Sequence, residues 1–349
     1  MPLNYSDKDH VLAAFERRLT SRVPVRVWYR LGDFDESSGL SRKELRTSGE
    51  KFAQYLIWNH KELPSDILTI PVGDAVMIAE GAGSELKISM QEIIERARKG
   101  LPLLEDKSLF RSFNLSDLMA GKRLPYYCQA SGIVAGEAAG TAIEASSYAP
   151  WTMAGIIRGN ENMIYDTADD PEFVHGLLRF TTNLLKQAAL EIGKTGADMF
   201  TFSDPAAGCS VISPPMFRNW AMPYLVEVVE FVKKNSKLKI GLHVCGKVDK
   251  IMEDLIATGV DAISIDSPSS LEKMVEINRG RVVIIGNVAT ELFLDGSTEQ
   301  IEEAVRQCVD TAAPGGGYIL SSGCDVPGTK QNILHFLQYG RDYGRYKKP

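Results

Sequence analysis

The chain has 349 residues, 44% of them hydrophobic and 24% charged, with a formal net charge of −6. That mix supports a globular fold with a large core, and without any basic run it argues against a nucleic-acid-binding surface. No apolar stretch reaches the ~20 residues of a bilayer span, and Met1 to His10 lacks the apolar centre of a signal peptide, so the sequence reads as a cytoplasmic protein that engages no membrane.

Taken in chain order, residues 1–20 read as a helical extension, and Val23–Tyr29 and Ile67–Val72 read as strands. An irregular stretch follows to about Gly140; it includes a mixed helical segment near Met90–Gly100, and residues 100–140 read as an insertion without regular structure. Thr141–Ser147 reads as a further strand. From there the pattern becomes regular. Asp170-Pro171 opens a helix that keeps its period through Phe173, Leu177, Phe180 and Leu184. Ser213-Pro214 opens another, Lys247–Thr258 is a third ending at Gly259, and Ser297 with Gln300 forms a capping box for a fourth. Between them lie Ala197–Ser203, Leu238–Val244, Ala262–Ile265, Val282–Ile285 and Tyr318–Ser322, short apolar runs suited to strands buried on both faces. Five successive β-then-α units predict an α/β fold, a (β/α)8 TIM barrel over residues 1–349 in one domain, with N-terminal elaborations.

In such a barrel, functional side chains sit where strands end and loops begin. Those positions hold Ser203 and Asp204 after MFTF, His243 and Cys245 after GL, Asp266 after AISI, Asn287 after VVIIG, and Cys324 after SSG. In His243-Val244-Cys245 the imidazole and the thiol are two residues apart, so on an extended backbone they project to one side. Cys324 adds a third ligand from a later strand end, and one His with two Cys is a set suited to Zn²⁺ that leaves a fourth position open. By spacing alone the same residues read equally well as small core side chains. Of the other cysteines, Cys308 and Cys128 read as packing residues, and Cys209 as a loop residue at the active face. His10, His60 and His175 read as surface residues, and His335 as structural. Asp204 and Asp266 are candidate proton donors, a candidate fourth ligand, or helix caps. Trp28, Tyr29, Trp151 and Met153 are candidate pocket walls or core. Pro314-Gly315-Gly316-Gly317 precedes a strand, which suits a connecting turn better than a phosphate cradle.

The run GLHVCGKVDKIMEDLIATGVDAISID, with VVIIGNV and GYILSSGCDVPGTKQNI after it, resembles the uroporphyrinogen decarboxylase superfamily and, within it, the zinc-dependent corrinoid-linked methyltransferases. FSDPAAGCSVISPPMF and YAPWTMAGIIRG agree in tone and position, so the likeness is firm from about Tyr148 to Tyr343. The resemblance implies a TIM barrel and a catalytic zinc held by His243, Cys245 and Cys324. Ser203 and Asn287 would then stand near the cofactor. Members either methylate a thiol such as coenzyme M from a methyl-corrinoid protein or demethylate a donor, often an aryl methyl ether, onto the cobalamin of a partner corrinoid protein. The tail around SSGCDVPGTKQNI favours the O-demethylating direction. No D-x-H-x-x-G signature occurs, so the corrinoid would come on a separate protein. The decarboxylase is a competing reading, but its Arg-rich N-terminal motif is reduced here to Arg26 and Arg30.

Overall fold

The structure is a computed structural model; it describes residues 5–28, 36–73, 75–81, 101–112, 121–327 and 329–346, with isolated positions between 92 and 99. Eight strands run parallel: β1 (Val25–Arg26), β2 (Ile67–Pro71), β3 (Ala142–Tyr148), β4 (Met199–Ser203), β5 (Lys239–Val244), β6 (Ala262–Ile265), β7 (Val283–Val288) and β8 (Tyr318–Ser322). They form one sheet in the order β1-β8-β7-β6-β5-β4-β3-β2. Helices on the outside connect them, the longest being Pro171–Gly193, opened by Asp170 and Pro171 as the sequence predicts. The Ser297–Gln300 capping box forms at the start of Thr298–Ala312. This is the expected (β/α)8 barrel.

The sheet ends on β1 and β2, which share no ladder, and a side chain joins them. The Val25 amide donates to Asp66 Oδ2 at 2.8 Å, and the Asp66 amide donates to the Val25 carbonyl at 2.9 Å. The fully buried Asp66 carboxylate also takes Arg22 and Arg341, so one acid ties the first strand, the second strand and the last helix, Lys330–Tyr343. At the same end, helix Asp7–Phe15 inserts Val11 and Ala14 against Ile67, Ala142, Met199, Ala262, Val283, Ile285 and Ile319, an apolar layer that closes the bottom of the barrel.

The layer above is polar. Glu144 on β3 accepts from Arg26 on β1, from Thr69 on β2 at 2.7 Å and from Thr201 on β4 at 2.5 Å. Arg26 and Glu144 are wholly buried. Gly241 on β5 leaves the space that Thr201 fills, since a Cβ there would run into the threonine hydroxyl.

Four expectations change. Residues 100–140 contain the helix Arg123–Glu137. Pro125 sits in its first turn, where its missing N–H is not needed. The helix after β5 covers only Met252–Ala257. Upstream of it the Lys247 carbonyl accepts from the Cys209 amide and the Val248 amide donates to Ser269 Oγ, so that backbone is engaged with neighbouring loops. His10 is buried, with Nδ1 2.6 Å from Thr20 Oγ1, and loss of solvent lowers its pKa to about 4. His60 is half-buried against Thr141. His175 is exposed and His335 half-buried, as expected. The Gly315–Gly317 run, with φ of 85°, 77° and 75°, is the left-handed turn that feeds β8. Most of Met90–Gly100, and Tyr29 and Arg30, lie outside the described residues. Among the described residues no helix is long and apolar enough to cross a membrane.

Replacing Asp66 with alanine strands two arginines and the Val25 amide. Loss of about 3 kcal/mol is expected, the usual effect of breaking a buried ion pair, and urea unfolding monitored by circular dichroism measures it.

Candidate metal centre

The period-2 alternation of β5 brings His243 to the inner face of the barrel, and the chain carries Cys245 on past the strand end. His243 is buried and Cys245 half-buried, with Nε2 3.2 Å from Sγ. Cys324, just past β8, places its Sγ 3.6 Å from that of Cys245. The three ligand atoms all lie within 4.8 Å of one another, and the sequence-predicted trio is the group of this kind found among the described residues. A tetrahedral ion with bonds of ~2.3 Å to sulfur separates two thiolates by roughly 3.8 Å, so this spacing fits one zinc.

Local hydrogen bonds fix His243 and the turn after Cys245. His243 Nδ1 lies 3.1 Å from Ser264 Oγ on β6, where the register sets the two residues side by side. A proton on Nδ1 directed at that hydroxyl leaves the Nε2 lone pair for a metal. Gly246 turns the chain after Cys245 with φ +70°, and its amide donates to Asp266 Oδ2 at 2.9 Å. Asp266 Oδ1 accepts from the Ser267 amide at 2.7 Å. The Trp28 ring packs 5.1 Å from the imidazole. The hydrogen bond between the thiols, with burial, pushes the Cys245 thiol up, while the same bond, helped by His243, draws the Cys324 thiol down. A metal would have to displace the proton that Cys245 retains.

The other candidate residues fall into different places. Asp266 stands beside Cys245, with both oxygens occupied by backbone amides; its geometry is that of a brace for the Cys245–Gly246 turn. Asp204 is 1% exposed, and its Oδ1 accepts from the Thr152 amide at 3.1 Å and hydroxyl at 2.5 Å, which caps helix Pro150–Arg158 from another strand end. Its Oδ2 is buried with no partner among the described residues, and burial raises its pKa to about 6 against the Thr152 hydrogen bonds. Ser203 is the register neighbour of His243. Asn287 turns away from the three ligands: its Nδ2 donates to the Ser269 carbonyl at 3.0 Å and its Oδ1 meets Cys308 Sγ at 3.8 Å. It lines a separate 860 Å³ cavity with Cys209, Lys247, Asp249 and Ser269. Asn287 therefore braces the loop after β6 and does not face the trio. Trp151 and Met153 are buried, the indole donating to the Ala206 carbonyl at 3.2 Å, so they support the site from the core. Cys308 packs in the core as expected, and burial pushes the half-buried Cys128 thiol up to about 11. Sequence reasoning missed Ser264 and the Arg26–Glu144 pair. The one signal for either is a polar residue inside an otherwise apolar strand run.

Two outcomes test this geometry. Ser264→Ala should weaken metal affinity by about tenfold or more while the fold is kept, which competition with a chromogenic chelator measures. Asp204 binds a proton in the folded state below about pH 6, whereas the unfolded chain keeps that carboxylate ionised to about pH 4. Its contribution therefore favours the folded state most below pH 4 and declines as pH rises towards 6, by up to about 3 kcal/mol. Melting curves from pH 4 to 7 should show that slope in the wild type and lose it in Asp204→Asn.

Comparison with known proteins bears on the family and the fold. A methylcobamide:CoM methyltransferase of Methanosarcina acetivorans is 24% identical over 97% of this chain and 98% of its own. A uroporphyrinogen decarboxylase of Xanthomonas axonopodis is 28% identical over 72% of this chain and 69% of its own. A solved methyltransferase from Methanosarcina mazei superposes with a TM-score of 0.80 at 20% identity, covering 97% of this chain and 99% of that one, and so shares the fold. The family model described as uroporphyrinogen decarboxylase (URO-D) matches residues 6–341, and the chain belongs to that family.

Proposed function

We propose that this protein is a zinc-dependent methyltransferase that moves a methyl group between the cobalt of a corrinoid, carried by a separate protein, and a small thiol. The observation that carries this reading is the meeting of His243, Cys245 and Cys324 at the strand ends, in a chain similar over its length to a methylcobamide:CoM methyltransferase. The sequence favoured an aryl methyl ether as methyl donor, on the tail around Cys324. That loop carries Cys324, which would hold the ion with either substrate, so it does not discriminate between ether and thiol. The full-length relative supports the thiol.

His243, Cys245 and Cys324 would hold the ion, with one position left for substrate. Zinc bound there would keep the substrate sulfur as a nucleophilic thiolate at neutral pH. Around it, Ser264 sets the imidazole tautomer, Asp266 fixes the turn after Cys245, and Trp28 covers the histidine. In the transfer the thiol proton would leave to solvent, and the corrinoid would supply the methyl group to sulfur and keep the electron pair of the broken bond. Asp204 shapes the helix beside the site through Thr152. A decarboxylase reading, which the family name and the Xanthomonas relative would allow, leaves the convergence of two thiols and an imidazole without a use.

The reading is tested with methylcobalamin as donor. Methyl transfer to a thiol should be visible as a change in cobalamin absorbance. In Cys324→Ser, bound zinc and turnover should both fall by at least about tenfold with the melting temperature near that of the wild type, since a ligand loss of this kind acts on the metal first. Full activity of that variant would remove the site.

A further inference from the structure

The 860 Å³ cavity beside the metal loop lies between the segments that follow β5, β6 and β7 and the helices Leu271–Asn278 and Thr298–Ala312. Its size is that of a small-molecule site, ~300–1,000 Å³. One wall is shared with the metal centre. There the Gly246 carbonyl accepts from Ser269 Oγ at 2.9 Å, the Val248 amide donates to the same oxygen at 3.0 Å, and Asn287 holds the Ser269 carbonyl. Four charged side chains line the space, and among the described residues only the two acids are engaged. Glu272 accepts from Ser270 Oγ at 3.0 Å, and Asp249 meets the Ser270 amide at 3.4 Å. Lys247 and Lys250 are exposed and have no ion pair or side-chain hydrogen bond among the described residues. The free charge in the cavity is therefore positive, in a chain whose net charge is −6. Leu271, Val288, Leu292 and Ala304 supply the apolar part of the lining. On the helix that carries Ala304, Gln307 spends an amide N–H on Glu303 at 3.0 Å, which leaves its Oε1 as an acceptor, and Thr311 follows one turn on.

We infer that this cavity is a binding site for a nucleoside phosphate, distinct from the metal centre. Phosphate oxygens accept from Lys247 and Lys250 and bring the negative charge that these lysines lack. The flat heterocycle packs on the apolar lining, with its polar edge towards Gln307 and Thr311. Ser210 and Ser267 offer hydroxyls to the sugar. A bare inorganic anion would leave the apolar lining and most of the volume to water. An uncharged apolar molecule would leave both lysines unpaired. The site does not depend on which substrate the metal centre takes.

Calorimetric titration of the zinc-loaded protein with AMP, adenosine and ribose 5-phosphate tests this. The wild type should bind AMP more tightly than either fragment. Replacing Lys247 and Lys250 together with alanine should weaken AMP and ribose 5-phosphate by about tenfold or more, the usual effect of losing charge-assisted hydrogen bonds, and leave adenosine unchanged. Ala304→Phe puts a ring where the heterocycle packs, so it should weaken AMP and adenosine and spare ribose 5-phosphate. Cys324→Ser disables the metal centre and should bind AMP as the wild type does. No AMP binding at millimolar concentration, an AMP affinity that the lysine changes do not move, or loss of AMP binding in Cys324→Ser would each overturn the site. If Ala304→Phe fails to fold, the lysine variant still decides, because neither side chain makes a polar contact with the described residues. None of these readings uses turnover, so a failure of the methyl-transfer reading leaves them intact.

Discussion

The Asp66 carboxylate closes the barrel. β1 pairs with β8 over two residues and shares no ladder with β2, so the cylinder would stay open at that seam without a group that joins the strands. Asp66 does so by accepting from the Val25 amide and from arginines on both sides of it in the sequence. Closure is what brings Arg26 and Trp28 across to face Glu144 and His243. Asp66 is fully buried and its two arginines are partly exposed, so each carboxylate oxygen has a donor and the desolvation of the acid is offset by its partners.

From that closure follows the layered interior. The lowest layer is aliphatic and plugged by the first helix; the middle layer is an ion pair ringed by threonines; the top layer carries the imidazole and thiols. Barrels of this class ordinarily fill their interior with branched apolar side chains. A charged middle layer costs desolvation, and here Arg26 reaches His243 through the Trp28 ring that both pack against. Above it, the ligand geometry depends on bonds between neighbouring loops: Ser264 to His243, and Asp266 to the amide after Cys245.

How much of this is legible in the sequence follows from how local each signal is. The last five strands announce themselves as apolar runs because both their faces are buried, and His243 and Cys245 as a pair because a strand repeats every two residues. β1 is two residues long and one of them is an arginine, so its extent does not show in the sequence. Helix Arg123–Glu137 contains Pro125, Gly132 and Gly136, which mask its periodicity. Asp204, Asp266 and Asn287 are all correctly placed at strand ends, but what each touches depends on residues 18 to 52 positions away. Ser264 and Arg26 gain their meaning only from strands that the register sets beside them or across the barrel. Pairing across a closed sheet is a tertiary fact, and a single sequence does not encode it in any short pattern.

The central claim is that His243, Cys245 and Cys324 hold one zinc with a position open to a thiol. X-ray absorption at the zinc edge tests it most directly, on the purified protein with and without added thiol. The account predicts two sulfurs at about 2.3 Å and one nitrogen near 2.0 Å, with the sulfur count rising to three when the thiol is present. A protein without zinc, or a first shell that the thiol leaves unchanged, would contradict it.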